Sequence, residues 1–146
     1  MVLTQNDNSL GFPKKERLHH RTLVDGLFRE GETFFEFPFR VTWRRLNPEQ
    51  LQQSFRHGVP DGIGRLQMMV VVPKKKRKKA VDRVLLRRRV REAYRLNRLD
   101  FRKNVENNPA IATMGLAFVY IHDKNLDYAY IEGKIKLILK KLTDKL

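Results

Sequence analysis

The chain has 146 residues, a length that fits one domain, and its 41% of apolar residues is enough for a buried core. Lys and Arg number 31 against 16 Asp and Glu, a net charge of +15 that draws the protein to polyanions without dictating its fold. Cysteine is absent, which excludes a disulfide scaffold, a thiolate zinc site, an iron–sulfur cluster and a cysteine nucleophile, and no apolar run approaches the ~18–20 residues of a membrane span.

Residues 1–13 are polar and unpatterned and read as a flexible N-terminal segment, with one domain over 14–146. Met1 to Leu10 lacks the charged-then-apolar order of a secretion signal, so a cytoplasmic location is expected. From Lys14 the pattern turns helical: Leu23 with Leu27 and Val24 with Phe28 are i, i+4 pairs, and Gly31 is a natural stop. Glu32 to Arg45 alternates with period two, Phe35, Phe37, Phe39, Val41 and Trp43 on one parity against Phe34, Arg40, Thr42 and Arg44 on the other. Pro38 cannot donate to a strand ladder, so it marks an edge, a bulge or a break between two short strands.

Asn47 to Gly64, with two prolines and three glycines, reads as a long turn-rich connection. Leu66 to Val72 is a short apolar run suited to a buried strand and ended by Pro73. A basic loop, Lys74 to Lys79, precedes a helix from about Ala80 to Asn97 or beyond. Asn107, Asn108 and Pro109 break the chain, and Ile111 to Ile121 is a further strand. Asn125 or Asp127 caps a last helix carrying Tyr128, Ile131, Ile135, Ile138 and Leu142 at spacings of three and four. The order predicts an α+β domain.

Between Lys74 and Lys103 stand fifteen basic residues against Asp82, Glu92 and Asp100, so this segment carries twelve of the fifteen net positive charges. On a helical wheel Leu86, Val90, Ala93 and Tyr94 form a core stripe, Arg87, Arg88, Arg91, Arg95 and Arg98 gather on one flank, and Val81, Leu85 and Leu96 form a second apolar strip. A charge run is ordinarily a solvated face. Here like charges recur at i, i+4 with almost no acidic relief, and an external anion would relieve that repulsion. Arginine forks on the helix suit phosphates and stack on bases, while lysines in the loop attract at longer range. Pro73 to Lys79 also matches a nuclear-localisation pattern, and a polybasic patch can lie on an anionic membrane. The first needs an exposed flexible segment, whereas this one is wedged between a strand and a helix, and the second is disfavoured because the apolar residues of the helix are committed to the core.

Chemistry by the protein itself finds little support. His19, His20, His57 and His122 stand in no metal-ligand spacing, His19 and His20 read as surface residues, and the acids are scattered singly. No glycine-rich phosphate loop occurs, so no catalytic residue and no protein-held metal is expected.

Val72 to Arg95 resembles the signature of the bacterial ribonuclease P protein subunit: a strand, paired lysines, a basic loop and an arginine-rich helix with an Arg-Glu pair. The residues that carry it are Val72, Lys74, Lys75, Lys78, Lys79, Ala80, Arg83, Arg87, Arg88, Arg91, Glu92, Tyr94 and Arg95, with Phe28, Arg29, Gly31 and Phe39 matching more loosely upstream. This sequence has Val84 where the family motif has asparagine, Leu85 where a second basic residue is common, and Val24 where many members have phenylalanine. Val84 either packs with Val81 and Leu85 or faces RNA.

The resemblance implies an αβββαβα sandwich with a left-handed βαβ crossover, where the general rule gives a right-handed one. It implies a subunit that assists removal of the 5′ leader from precursor tRNA by a catalytic RNA, ribonuclease P RNA, whose magnesium ions sit mainly on the RNA. RNA contacts would come from Lys74, Lys75, Lys78, Lys79, Arg83, Arg87, Arg88, Arg91 and Arg95, and a leader cleft from Val24, Phe28 and Phe39. No membrane and no obligate protein partner is expected. The alternative is a structural RNA-binding protein of ribosomal or nucleoid type using the same helix.

Overall fold

The computed structural model describes residues 11–146, so the expectation for residues 1–10 lies outside the described part. A 3-10 turn at Lys14–Glu16 leads into α1 (Arg21–Glu30), the hairpin β1 (Glu32–Glu36) and β2 (Phe39–Leu46), and a short α2 (Pro48–Ser54). Then come β3 (Leu66–Val71), α3 (Ala80–Asn97), α4 (Leu99–Glu106), β4 (Thr113–Tyr120) and α5 (Tyr128–Asp144). The four strands form one sheet in the order β1-β2-β4-β3, with β3 and β4 as parallel neighbours joined through α3 and α4. The α+β order holds, with α2 and α4 added to it.

Gly11 and Phe12 pack on the domain instead of trailing from it. Phe12 lies edge-on to Tyr94 at 6.1 Å, and the Gly11 carbonyl accepts from Arg98. The helix expected from Lys14 starts only at Arg21, because residues 17–18 first run beside β3, where the Leu18 amide donates to Met68 O at 2.9 Å. The connection 47–64 opens with α2. Asn47 Oδ1 accepts from the Gln50 amide at 2.7 Å, Gln50 Oε1 accepts from the Asn47 amide at 2.8 Å, and Pro48 begins the helix, a complete capping box.

The sheet separates two apolar groups. On one face Phe39, Val41 and Trp43 of β2 and Leu116 and Phe118 of β4 meet α3, α4 and α5, including Leu86, Val90, Phe101, Ile131 and Ile135. On the other, α1 lays Leu23 and Leu27 against Leu46 and Ala117, with Leu51, Phe55 and Ile63 of the long connection closing the end. Gly26 leaves room for the Arg44 guanidinium against α1, since a Cβ there would fall 2.3 Å from one of its nitrogens.

The hairpin corrects the expected parity. Phe34 pairs with Val41 and Phe35 with Arg40, so a face reads even on β1 and odd on β2. Phe34 therefore leans on the main core, while Phe35 shares the α1 face with Arg40, Thr42 and Arg44 and is 67% exposed. Glu36 reaches the α5 lysines Lys141 and Lys134, and the Lys141 hydrogen bond outweighs partial burial to hold its carboxyl below the ordinary value.

Candidate nucleic-acid interface

The basic loop and α3 form one continuous positive surface, and the loop is braced from within. Arg77 turns inward, donating to the Asp123 carbonyl, to Asn125 Oδ1 at 2.9 Å and to Asp82 Oδ2 at 3.0 Å. Arg83 of α3 donates to the carbonyls of Arg77 at 2.9 Å and Lys78 at 2.7 Å. With these two arginines fixing the backbone, Lys74, Lys75, Lys78 and Lys79 project into solvent, with no ion pair among the described residues.

On α3 the core stripe is as expected: Leu86, Val90, Ala93 and Tyr94 are buried. Val81 and Leu96 are exposed at 71% and 43% while Leu85 is half-buried, so most of the second apolar strip faces solvent. Arg87, Arg88 and Arg91 make no hydrogen bond or ion pair among the described residues, and they lie together on the flank turned away from the core. Partial desolvation, then the charges of Arg87 and Arg17, pull Arg91 below the ordinary arginine value. Burial is the larger cause and the neighbouring cations add to it, and a phosphate would oppose the cations' part.

Two arginines of the expected flank are engaged elsewhere. Arg95 grips Glu92 through two bonds of 2.8 and 2.9 Å, which hold Glu92 below and Arg95 above their ordinary values. Arg98 is fully buried: α3 ends at Asn97, the chain bends, and Arg98 closes on Glu16 at 2.7 Å. Arg17 was not among the expected contacts. It flanks an open groove of about 490 Å³ with Phe12, His19, Met68, Met69 and Arg91. The partnership of Arg17 with Arg91 spans 74 positions, so neither composition nor periodicity signals it.

The expected leader cleft is rearranged. Val24 is half-buried and Phe28 is 44% exposed on α1, but Phe39 is completely buried on the opposite face of the sheet against Phe118 and Tyr120. Phe39 therefore lines no surface with Val24 and Phe28. The exposed sheet residues on the α1 side include Phe35 and Arg40, cross-strand partners, and Thr33. His20 is also not a simple surface residue, since its ring packs edge-on to Phe55 at 4.8 Å.

Comparisons with known proteins identify the family. Residues 12–143 match the ribonuclease P family. The ribonuclease P protein component of Porphyromonas gingivalis strain W83 is 32% identical over 134 residues, covering 92% of this chain and 88% of that protein. The chain belongs to the ribonuclease P protein family. Its function is that of a ribonuclease P protein component in tRNA 5′ processing. Solved structures of the family share the fold. The ribonuclease P protein of Thermotoga maritima superposes with a TM-score of 0.59 at 22% identity, covering 86% of this chain and 96% of that one. A mutant of the Staphylococcus aureus protein gives 0.60 at 14% identity, covering 97% of both chains.

Val84, where the ribonuclease P motif carries asparagine, is 45% exposed in the middle of the arginine flank, so it is not a core residue. Val84→Asn should leave the melting temperature nearly unchanged. It should tighten RNA binding by about 0.5–1.5 kcal/mol, the net worth of one neutral hydrogen bond. Thermal unfolding and RNA titration of the one variant check both halves, and lost stability without gained affinity refutes the assignment.

Proposed function

We propose that this protein docks on ribonuclease P RNA through Lys74, Lys75, Lys78, Lys79, Arg87, Arg88 and Arg91, and helps the RNA remove the 5′ leader of precursor tRNA. The observation that carries this reading is the set of three adjacent α3 arginines without an acidic partner among the described residues, beside a lysine loop whose backbone is pinned by Arg77 and Arg83. Keeping such like charges together on a helix is unfavourable until phosphates arrive. Arg83 and Arg95 then act chiefly by shaping the surface.

The leader, in this reading, lies on the α1 side of the sheet, over Val24, Phe28, Phe35 and Arg40. Exposed aromatic rings there offer base faces a stacking partner at ~1–3 kcal/mol per base, and Arg40 offers a phosphate contact. The chemistry and its magnesium ions belong to the RNA. Among the described residues no three His, Cys, Asp or Glu side chains come together as a metal site, and no helix is long and apolar enough to cross a membrane. The expected place of work is the cytoplasm.

Reconstitution tests the proposal. Added to ribonuclease P RNA at low magnesium, the protein should raise the rate of precursor-tRNA cleavage, and without RNA it should cut nothing. No rise, or specific maturation by an RNA-free preparation, would overturn it.

A further inference from the structure

Three rings gather on the surface at the end of the sheet where β4 leaves for α5. Phe37, in the turn between β1 and β2, lies 4.9 Å from the His122 ring and 6.3 Å from that of Tyr130, with interplanar angles of 69° and 78°. Neighbouring aromatics that serve the core, Phe39 and Tyr120, are wholly buried, but Phe37 is 47% and Tyr130 42% exposed. T-shaped contacts set an edge against a face, which leaves flat surface open for a further ring. The Lys134 ammonium stands 5.6 Å from the Tyr130 ring centre, on the side where it also meets Glu36.

One residue beyond His122 the surface changes character. Asp123, whose carboxylate lies 3.6 Å from His122 Nδ1, borders an open cup of about 420 Å³ walled by Lys75, Lys76, Lys78 and Lys79. Arg77 and Asp82, also on its wall, are spent on each other and on Asn125. The four lysines have no ion pair among the described residues. A cup of free ammonium groups selects phosphate. A half-exposed aromatic cluster selects a flat heterocycle. The two are joined through the single backbone step from His122 to Asp123, and phosphate next to a base is the repeat of a single strand.

We propose that the lysine cup and the Phe37–His122–Tyr130 cluster form one site for an unpaired RNA segment, with phosphates in the cup and a base held in the angle between the Phe37 and Tyr130 rings, face to one and edge to the other. The site rests on the reading that the basic loop binds RNA. It adds a base contact from the hairpin turn and α5, elements apart from the α3 flank and from the α1 face of the sheet.

The test uses the full chain and two labelled probes of equal length, an eight-nucleotide oligouridylate and an abasic ribose-phosphate oligomer. Phe37→Leu and Tyr130→Leu keep apolar bulk but lose the ring. Each should weaken binding of oligouridylate by at least about fivefold, the low end of what one stacked base contributes. Neither should change binding of the abasic oligomer or the salt dependence, since no phosphate contact is removed. Changing Lys75, Lys78 and Lys79 together to alanine should weaken both probes and flatten the salt dependence. Leucine variants that bind oligouridylate like the parent, or that lose both probes equally, overturn the site. Thermal unfolding controls for folding, and Tyr130, half-exposed on a helix, carries the test if Phe37→Leu unfolds. If the leucine variants bind normally while Arg87, Arg88 and Arg91 changed to alanine do not, this site fails and the broader RNA reading stands.

Discussion

Changing Glu16 to alanine should cost about 3–5 kcal/mol of stability, although the residue sits in a segment with no strand or α-helix of its own. Its side chain is 5% exposed and that of Arg98 is 0%. Arg98 Nε donates to Glu16 Oε1 at 2.7 Å and Nη2 to Oε2 at 3.2 Å, while Arg102 Nη1 reaches Oε2 at 3.2 Å. Two carbonyls, Arg95 at 2.7 Å and Gly11, take further Arg98 protons. Without the carboxylate, a buried guanidinium keeps its desolvation penalty and loses its counter-charge, which is the costly way to break such a pair. Replacing both partners, Glu16→Leu with Arg98→Met, should cost far less than the two single changes added together. Denaturant unfolding of the two singles and the double measures that coupling. Additive losses would mean that the pair is incidental to the fold.

The pair also explains where sequence reading stopped. The α3 stripe of Leu86, Val90, Ala93 and Tyr94 was legible because burial on one side of a helix writes itself every three to four residues. Arg98 satisfies the same wheel for the opposite flank, yet it is buried, because the helix ends one residue before it and Glu16, 82 positions away, comes to meet it. A periodicity rule carries no information past the end of its helix. Phe39 and Phe35 teach the same lesson for strands: alternation correctly marked two faces, but the hairpin turn exchanges parity between β1 and β2, which a single count through Pro38 misses. The capping box at Asn47 is written locally in Asn-Pro-Glu-Gln, but the prolines and glycines around it carry the stronger turn signal. The lysine loop and the Arg87, Arg88 and Arg91 cluster were readable because charge density is local. Their division from Arg77 and Arg83 is not, since it depends on acceptors brought by the β4–α5 connection and by loop carbonyls, whereas the Glu92–Arg95 pair, three residues apart on one helix, is a local signal.

Changing Arg87, Arg88 and Arg91 together to alanine should flatten the dependence of RNA affinity on salt by about two units or more of log–log slope. Each phosphate neutralised contributes roughly 0.7 to 0.9 of a unit through released counterions. These three guanidinium groups have no acidic partner among the described residues, so their charge is available to RNA without first breaking an internal pair. The apolar stripe of α3 is untouched, and alanine favours helix, so the melting temperature should hold or rise as the self-repulsion is relieved. Arg95→Ala should flatten the slope less, because Glu92 already neutralises much of that charge. The proper control is Lys136→Ala with Lys140→Ala on α5, both exposed. Lys141 and Lys145 are poor controls, since one pairs with Glu36 and the other stands 5.9 Å from the Phe34 ring, so their loss would disturb the hairpin. Titrations of ribonuclease P RNA at several salt concentrations decide the matter. Equal flattening by the α3 triple and the α5 pair would mean that binding is spread over the whole +15 surface and that α3 has no special place in it.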